Sequence, residues 1–142
     1  LIDYAHTDDA LQNVLRTLRP ICKGRLITVF GCGGDRDRSK RPRMAAVAEK
    51  LSDMVIVTSD NPRTELPELI VGEIIAGFED PTSSGITHRV DRRQAIEYAV
   101  RIAKKHDMIL IAGKGHETYQ VIGTEKIDFS DKDIAMECLE QL

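Results

Sequence analysis

Leu26-Ile27-Thr28-Val29-Phe30-Gly31-Cys32-Gly33-Gly34 is the stretch on which the fold turns. Its first five residues are apolar except for Thr28, and glycine then stops the run. A run that does not alternate predicts a strand buried on both faces, as in parallel sheets covered by helices. Two further runs repeat the pattern. Asp53-Met54-Val55-Ile56-Val57-Thr58 is halted by Ser59-Asp60-Asn61-Pro62, and Asp107-Met108-Ile109-Leu110-Ile111-Ala112 by Gly113. Between them the apolar period lengthens to that of helices. Helices are expected over 8–21 (capped by Thr7 or Asp8), 42–51, 66–78, 91–105 (capped by Asp91) and 130–142. Gly85–Val90 predicts a short edge strand, and 119–122 with 125–129 around Gly123-Thr124 predict a hairpin. Ile2-Asp3, at the start, has the look of a strand end. This alternation predicts an α/β domain: an open, mainly parallel sheet, helices on both faces, and a C-terminal β-hairpin.

Composition sets the bounds. The chain has 142 residues, one domain by length, with 42% hydrophobic and 30% charged residues and a net charge of −3. That balance excludes disorder and a uniformly basic nucleic-acid binder. No apolar run approaches the roughly 18 residues of a membrane span. Three cysteines, Cys22, Cys32 and Cys138, are too few and scattered for a disulfide framework or zinc site, which fits a reduced compartment. Cys32 reads as a packing residue, Cys22 and Cys138 as core or half-buried positions. The chain opens on Leu1-Ile2-Asp3 without Met or signal peptide, which suggests a domain cut from a longer protein.

Ligands of such sheets bind beyond the carboxyl ends of the strands, and the three loops there are unusual. Gly31–Arg43 joins glycines to Arg36, Arg38, Lys40, Arg41 and Arg43 ahead of a helix, a combination suited to carboxylate or phosphate. It matches neither a P-loop nor a dinucleotide fingerprint. The alternative is a solvated loop in which Asp35 and Asp37 pair the arginines. Asp60-Asn61-Pro62-Arg63 could hold a zwitterion, Arg63 taking its carboxylate and Asp60 its ammonium, or be an ordinary turn. Gly113-Lys114-Gly115-His116-Glu117 could bind an anion through its backbone and Lys114, and an ammonium through Glu117. His116 reads as a structural, hydrogen-bonding residue. Asp3 and His6 could meet a ribose and a base, or serve as cap and partly buried histidine. His88 and His106 read as surface residues, and the Arg89–Arg93 cluster as a solvated helix start.

Taken together and in order, Asp3-Tyr4-Ala5-His6-Thr7, Gly31–Asp37 with Lys40-Arg41-Pro42, Asp60-Asn61-Pro62-Arg63 and Gly113–Glu117 resemble the Mur ligase family of peptidoglycan synthesis. The tetrapeptide resembles the branch that adds meso-diaminopimelate. The resemblance covers essentially the whole chain. It implies a Rossmann-like fold and the family's C-terminal, amino-acid-binding domain over 1–142, with the UDP-binding and ATPase domains upstream of Leu1. It implies a cytoplasmic enzyme that uses ATP and Mg²⁺ to make an acyl-phosphate on UDP-N-acetylmuramoyl-L-alanyl-D-glutamate, which the amine of meso-diaminopimelate attacks. By matching positions, Arg36, Asp60, Asn61, Pro62, Arg63, Gly113 and Glu117 would hold diaminopimelate, and Asp3 and His6 would face the nucleotide. No catalytic residue or metal ligand is assigned to this chain, so the domain alone should be inactive. Asp8 stands where the family commonly has Pro, which implies a changed helix entry. The rival readings are a free-standing Rossmann-like anion or nucleotide module, and a lysine-adding member of the same family. Lysine addition gives no reason to keep Arg63.

Overall fold

The computed structural model describes residues 1–142. Strands β1 (Ile2–Asp3), β2 (Leu26–Phe30), β3 (Met54–Val57), β4 (Ile86–His88) and β5 (Met108–Ala112) form one sheet in the order β1-β5-β2-β3-β4. Every pairing in it is parallel. Hairpin strands β6 (Tyr119–Ile122) and β7 (Glu125–Asp128) pair antiparallel with each other. The helices are α1 (Asp8–Leu18), α2 (Lys40–Leu51), α3 (Pro67–Ile75), α4 (Arg92–Ile102) and α5 (Asp131–Glu140).

The unbroken apolar runs have the cause read from the sequence. All of β2 is buried. Leu26 and Phe30 pack on one face with Leu11, Leu15, Met44 and Ile74, beneath α1, α2 and α3. Ile27 and Val29 pack on the other with Ile96, Ala99 and Ile134, beneath α4 and α5. Thr28 lies buried between them in sequence, and its hydroxyl shares a 2.7 Å hydrogen bond with Ser52 Oγ. Ile86–His88 is the edge strand expected, paired with β3 alone.

Some helix ends fall short of their apolar patterns. Thr7 caps α1, its Oγ1 accepting from Ala10 N, and Asp8 and Asp9 sit in the first turn at the positive end of the helix. Asp8 therefore leaves a regular helix entry. Arg19–Ile21, expected as helix, tighten into a 3₁₀ turn around Pro20, which has no N–H to continue the ladder. Helix α4 stops at Ile102 because Ala103 is extended, and Lys104 and Lys105 lie beyond it.

The Arg89–Arg93 cluster corrects the sequence reading most. Only Arg93 is the exposed helix-start residue expected, pairing with Glu97 and Glu137. Arg89 is half-buried over the Tyr98 ring, 4.4 Å from its centroid. Arg92 is wholly buried. It donates to both carboxylate oxygens of Asp131 at 2.8 and 2.7 Å, to Ser59 O at 3.0 Å and to Ala112 O at 3.1 Å. One guanidinium thus ties the ends of β3 and β5 to the start of α5.

The chain runs outward from β2 through β3 to β4, then returns to place β5 on the other side of β2. The loops leaving β2 and β5 start on either side of that reversal, at the carboxyl ends where ligands of such sheets bind.

A buried charge stripped of its partner is costly. Asp131→Asn is expected to lose about 3–5 kcal/mol of stability in urea unfolding. The double substitution Arg92→Met with Asp131→Leu should recover only part of that loss, because the Ser59 and Ala112 carbonyls are left without their donor.

Candidate functional site

The loops after β2, β3 and β5 lock together through the backbone. Gly34 N donates to Asn61 O at 2.8 Å, and a Cβ on Gly34 would fall 1.8 Å from Pro62 O. Only glycine permits that approach. Arg63 has a positive φ of 51°. The hairpin holds it there: Arg63 N donates to Val121 O at 3.1 Å, and Gly123 N donates to Arg63 O at 2.7 Å. Gln120, nearly buried, donates from Nε2 to Ser59 Oγ at 3.0 Å and Asp60 O at 2.6 Å. The hairpin is therefore the outer wall that fixes the Ser59–Arg63 turn.

Five of the expected residues converge. Asp60 and Asn61 are only 6% and 5% exposed. Gly113, with φ +117°, faces Asp60, and a Cβ there would lie 2.7 Å from Asp60 Oδ2. Glu117 joins through Lys114, whose Nζ lies 3.3 Å from Glu117 Oε1, 2.8 Å from Asn61 Oδ1 and 3.5 Å from Asp60 Oδ1. Arg63 approaches from the other side, its Nη1 donating to Gly34 O at 2.9 Å. Arg36 is exposed and donates only to Asp35 O. Arg36 and Arg63 bracket Gly33: a Cβ there would lie 3.7 Å from Arg36 Cγ and 2.9 Å from Arg63 Nη1. Pro62 is buried in the turn.

Asp3 and His6 stand beside this group rather than within it. Gly113 N donates to Asp3 O at 3.0 Å, and Asp3 Oδ1 accepts from Ala5 N. His6 is exposed, its Nδ1 3.0 Å from Tyr4 O and its ring edge-on to Tyr4.

Several expectations need correction. Lys114 is not available to an anion, being fully buried among acidic and amide oxygens. The basic run is mostly neutralised. Arg38 pairs with Glu73 at 2.5 Å, Arg41 is buried against Glu65 and Glu73, and Lys40 donates to His6 O. Arg43 reaches Ser39 Oγ and lies 3.7 Å from Asp8. Asp35 and Asp37 pair none of them. Asp35 takes the Thr64 hydroxyl and amide, and Asp37 takes the Ser39 hydroxyl and amide. His116 is exposed and makes no hydrogen bond, against the structural role expected of it. His88 and His106 are exposed, as read. Cys32 is a buried packing residue whose thiol burial pushes up to about 12.

What sequence reading missed are the supports. Glu65 accepts from Asp35 N at 2.7 Å and holds Arg41, which in turn donates to Gly33 O at 3.0 Å. Those hydrogen bonds, the Arg41 guanidinium first, hold the Glu65 carboxyl down at about 2 from an ordinary 4.5. Charge pattern alone could have flagged Glu65, which follows the Arg63 turn by two residues; nothing in it gave the partner.

The site thus sorts its charges. Arg36 and Arg63 form no ion pair, while the nearly buried Asp60 keeps an oxygen with no partner in the chain. The fold and this site define an α/β domain that gathers unpaired groups of both charges on the loops at the carboxyl ends of its strands. Residues 1–115 match the model of the Mur ligase, glutamate ligase domain, and the chain belongs to the Mur ligase family as its C-terminal domain. It is 54% identical to the UDP-N-acetylmuramoyl-L-alanyl-D-glutamate–2,6-diaminopimelate ligase of Clostridioides difficile (strain 630), covering 100% of this chain and 29% of that protein. A solved structure of a ligase of that name matches with a TM-score of 0.94 and 44% identity over 99% of this chain and 28% of its own. E. coli FolC, solved in complex with ADP and without folate substrate, matches with a TM-score of 0.56 and 19% identity, over 99% of this chain and 29% of its own, a likeness of fold. The chain spans less than a third of the length of these relatives.

Because the Glu65 pKa is depressed in the folded state, its stabilisation is full above about 4.5 and drains away as pH falls toward about 2. Urea unfolding between pH 2 and pH 6 is expected to show this acid loss reduced in Glu65→Gln.

Proposed function

We propose that this domain positions meso-diaminopimelate for an ATP-dependent, ADP-forming ligase that joins it to UDP-N-acetylmuramoyl-L-alanyl-D-glutamate in the cytoplasm. In this reading the UDP-binding and ATPase domains lie upstream of the chain and supply the Mg²⁺ ligands. ATP converts the dipeptide carboxylate to an acyl-phosphate, which the amine then attacks. This domain's share is to hold the amino acid in register, a contribution of positioning and charge placement.

The observation that carries the reading is the separation of unpaired charge across one turn. Arg63, half-buried and without an acidic partner, stands three residues from Asp60, whose Oδ2 is unpartnered. The end of diaminopimelate that does not react carries a carboxylate and an ammonium together. Arg63, with Arg36 beside it, takes the carboxylate. Asp60 and Glu117 take the ammonium, while Gly113 leaves room beside Asp60 and Pro62 sets the turn. A lysine has no second carboxylate and would leave Arg63 facing nothing, which a site of this kind penalises heavily. Asp3 and His6, next to the loop after β5, face the nucleotide. The relatives' names support the amino acid and the nucleotide-linked dipeptide, and the ADP in the FolC structure supports ATP.

In the full-length ligase, Arg63→Ala is expected to raise KM for meso-diaminopimelate about 100-fold, the scale of a lost charge-assisted pair. KM for ATP should stay unchanged. The 142-residue chain alone should form no tripeptide. Wild-type enzyme that incorporated L-lysine as readily as meso-diaminopimelate would sink the reading.

A further inference from the structure

We infer that Lys114 is the positioning residue that divides this site into a carboxylate-binding half and an ammonium-binding half. The inference rests on the function proposed above and adds to it a residue that need not touch the ligand.

Lys114 follows Gly113 on the loop after β5, and its side chain is completely enclosed. A buried ammonium must be surrounded by acceptors, and three lie around it: Asn61 Oδ1 at 2.8 Å, Glu117 Oε1 at 3.3 Å and Asp60 Oδ1 at 3.5 Å. It is out of an anion's reach, so its positive charge serves the protein.

The first consequence falls on Asn61. Its two ends are alike in shape and opposite in hydrogen bonding. Lysine can only donate, so the end facing Nζ must be the carbonyl oxygen. The Val121 amide donates to the same Oδ1 at 3.0 Å. With both donors on Oδ1, the amide cannot turn over without setting its N–H groups against an ammonium and an amide N–H. Asn61 Nδ2 is thereby committed to the other direction, and it makes no hydrogen bond within the chain although the residue is 95% buried (5% exposed). Lys114 so fixes Asn61 as a donor, complementary to a carboxylate.

The second consequence falls on the acids. Asp60 and Glu117 would repel if brought together without a cation. Lys114 engages one oxygen of each, Oδ1 of Asp60 and Oε1 of Glu117, and leaves Asp60 Oδ2 and Glu117 Oε2 without partners in the chain. Each keeps an oxygen to spare for a ligand ammonium. One buried cation therefore sets donors toward the ligand at Asn61 and acceptors at Asp60 and Glu117.

The test uses the full-length ligase carrying Lys114→Met, Asn61→Asp or Arg63→Ala, with steady-state kinetics on meso-diaminopimelate and L-lysine and thermal unfolding of each variant. Lys114→Met removes the charge at similar length. It is expected to raise KM for meso-diaminopimelate about 30-fold and to narrow the preference over L-lysine by a similar factor, the scale of a charged hydrogen bond, with KM for ATP unchanged. A role in folding alone would lower kcat through the fraction of active enzyme and leave KM and the preference intact. Asn61→Asp keeps the volume and gives Lys114 a stronger partner, but replaces the outward N–H groups with an oxygen. It should fold and raise KM for meso-diaminopimelate at least as much, and it decides the matter should Lys114→Met not fold. If Arg63→Ala raises KM while the Lys114 and Asn61 variants that fold do not, the role of Lys114 is overturned and the diaminopimelate site stands. If Arg63→Ala changes neither KM nor preference, both fall.

Discussion

The guanidinium of Arg92 joins two strand ends that do not touch. β3 and β5 are separated in the sheet by β2, yet Arg92 donates to Ser59 O just past β3 and to Ala112 O at the end of β5. Its other face is closed by Asp131 at the head of α5. In a parallel sheet the carboxyl-terminal carbonyls point into the loops, and a buried carbonyl without a donor is costly. Arg92 satisfies two of them at once and sets the spacing of the two loops above. Asp60 and Gly113, the residues that follow those carbonyls, meet as a result: a side chain on Gly113 would put its Cβ 2.7 Å from Asp60 Oδ2. A wholly buried ion pair is a poor source of stability in itself. Its place here is geometric, under the one point where loops from two non-adjacent strands meet.

Above that base, the distribution of partners matters more than the number of charges. The run from Arg36 to Arg43 looks like an anion trap in sequence, and in the fold most of it is bound to Glu65, Glu73, Ser39 and main-chain oxygens. Arg41 and Glu65 are structural: they brace Gly33 and Asp35, so the β2 loop can rest against Pro62. That leaves Arg36, Arg63 and Lys40 of these loops without acidic partners, and Lys40 is tied to the His6 carbonyl. A half-buried guanidinium gains from a carboxylate in proportion to how little else competes for it, so the pairing of its neighbours leaves Arg63 the more open to an anion.

The sequence made the sheet legible because burial on both faces leaves an unbroken apolar run, and each run here ends in a glycine or an Asn-Pro turn. The site residues were legible for a related reason: loops at the carboxyl ends of parallel strands are few, and each carried polar residues without an obvious structural use. Lys114 and Arg92 were misread because a cation's type and spacing do not encode its burial. Arg92 sits in a run of arginines like any exposed helix start, and its partner Asp131 is distant in sequence. Lys114 between two glycines has the pattern of an anion-binding loop, and only the third dimension brings Asp60 and Asn61 to it. The helix ends erred where Pro20 and the extended Ala103 overrode a continuing apolar period.

The hairpin fixes how Arg63 and Asn61 are held. Arg63 is held at a φ that non-glycine residues seldom adopt, a strained state that persists only where its surroundings impose it. Val121 and Gly123 impose it through both main-chain hydrogen bonds of Arg63, and Val121 N also helps fix the Asn61 amide. Glu117 and this hairpin lie beyond the 1–115 segment that matches the family model, while the sheet and the Asp60–Arg63 turn lie within it. The division is physically sensible. The rigid sheet with its buried Arg92 tie sets where the strand ends stand, and the short C-terminal hairpin, packed against one turn, sets how one arginine and one amide are held. The aim is fixed, because flipping the Arg63 backbone would give up two main-chain hydrogen bonds, swinging its guanidinium away would give up Gly34 O, and turning Asn61 over would set its N–H groups against Lys114 and the Val121 amide.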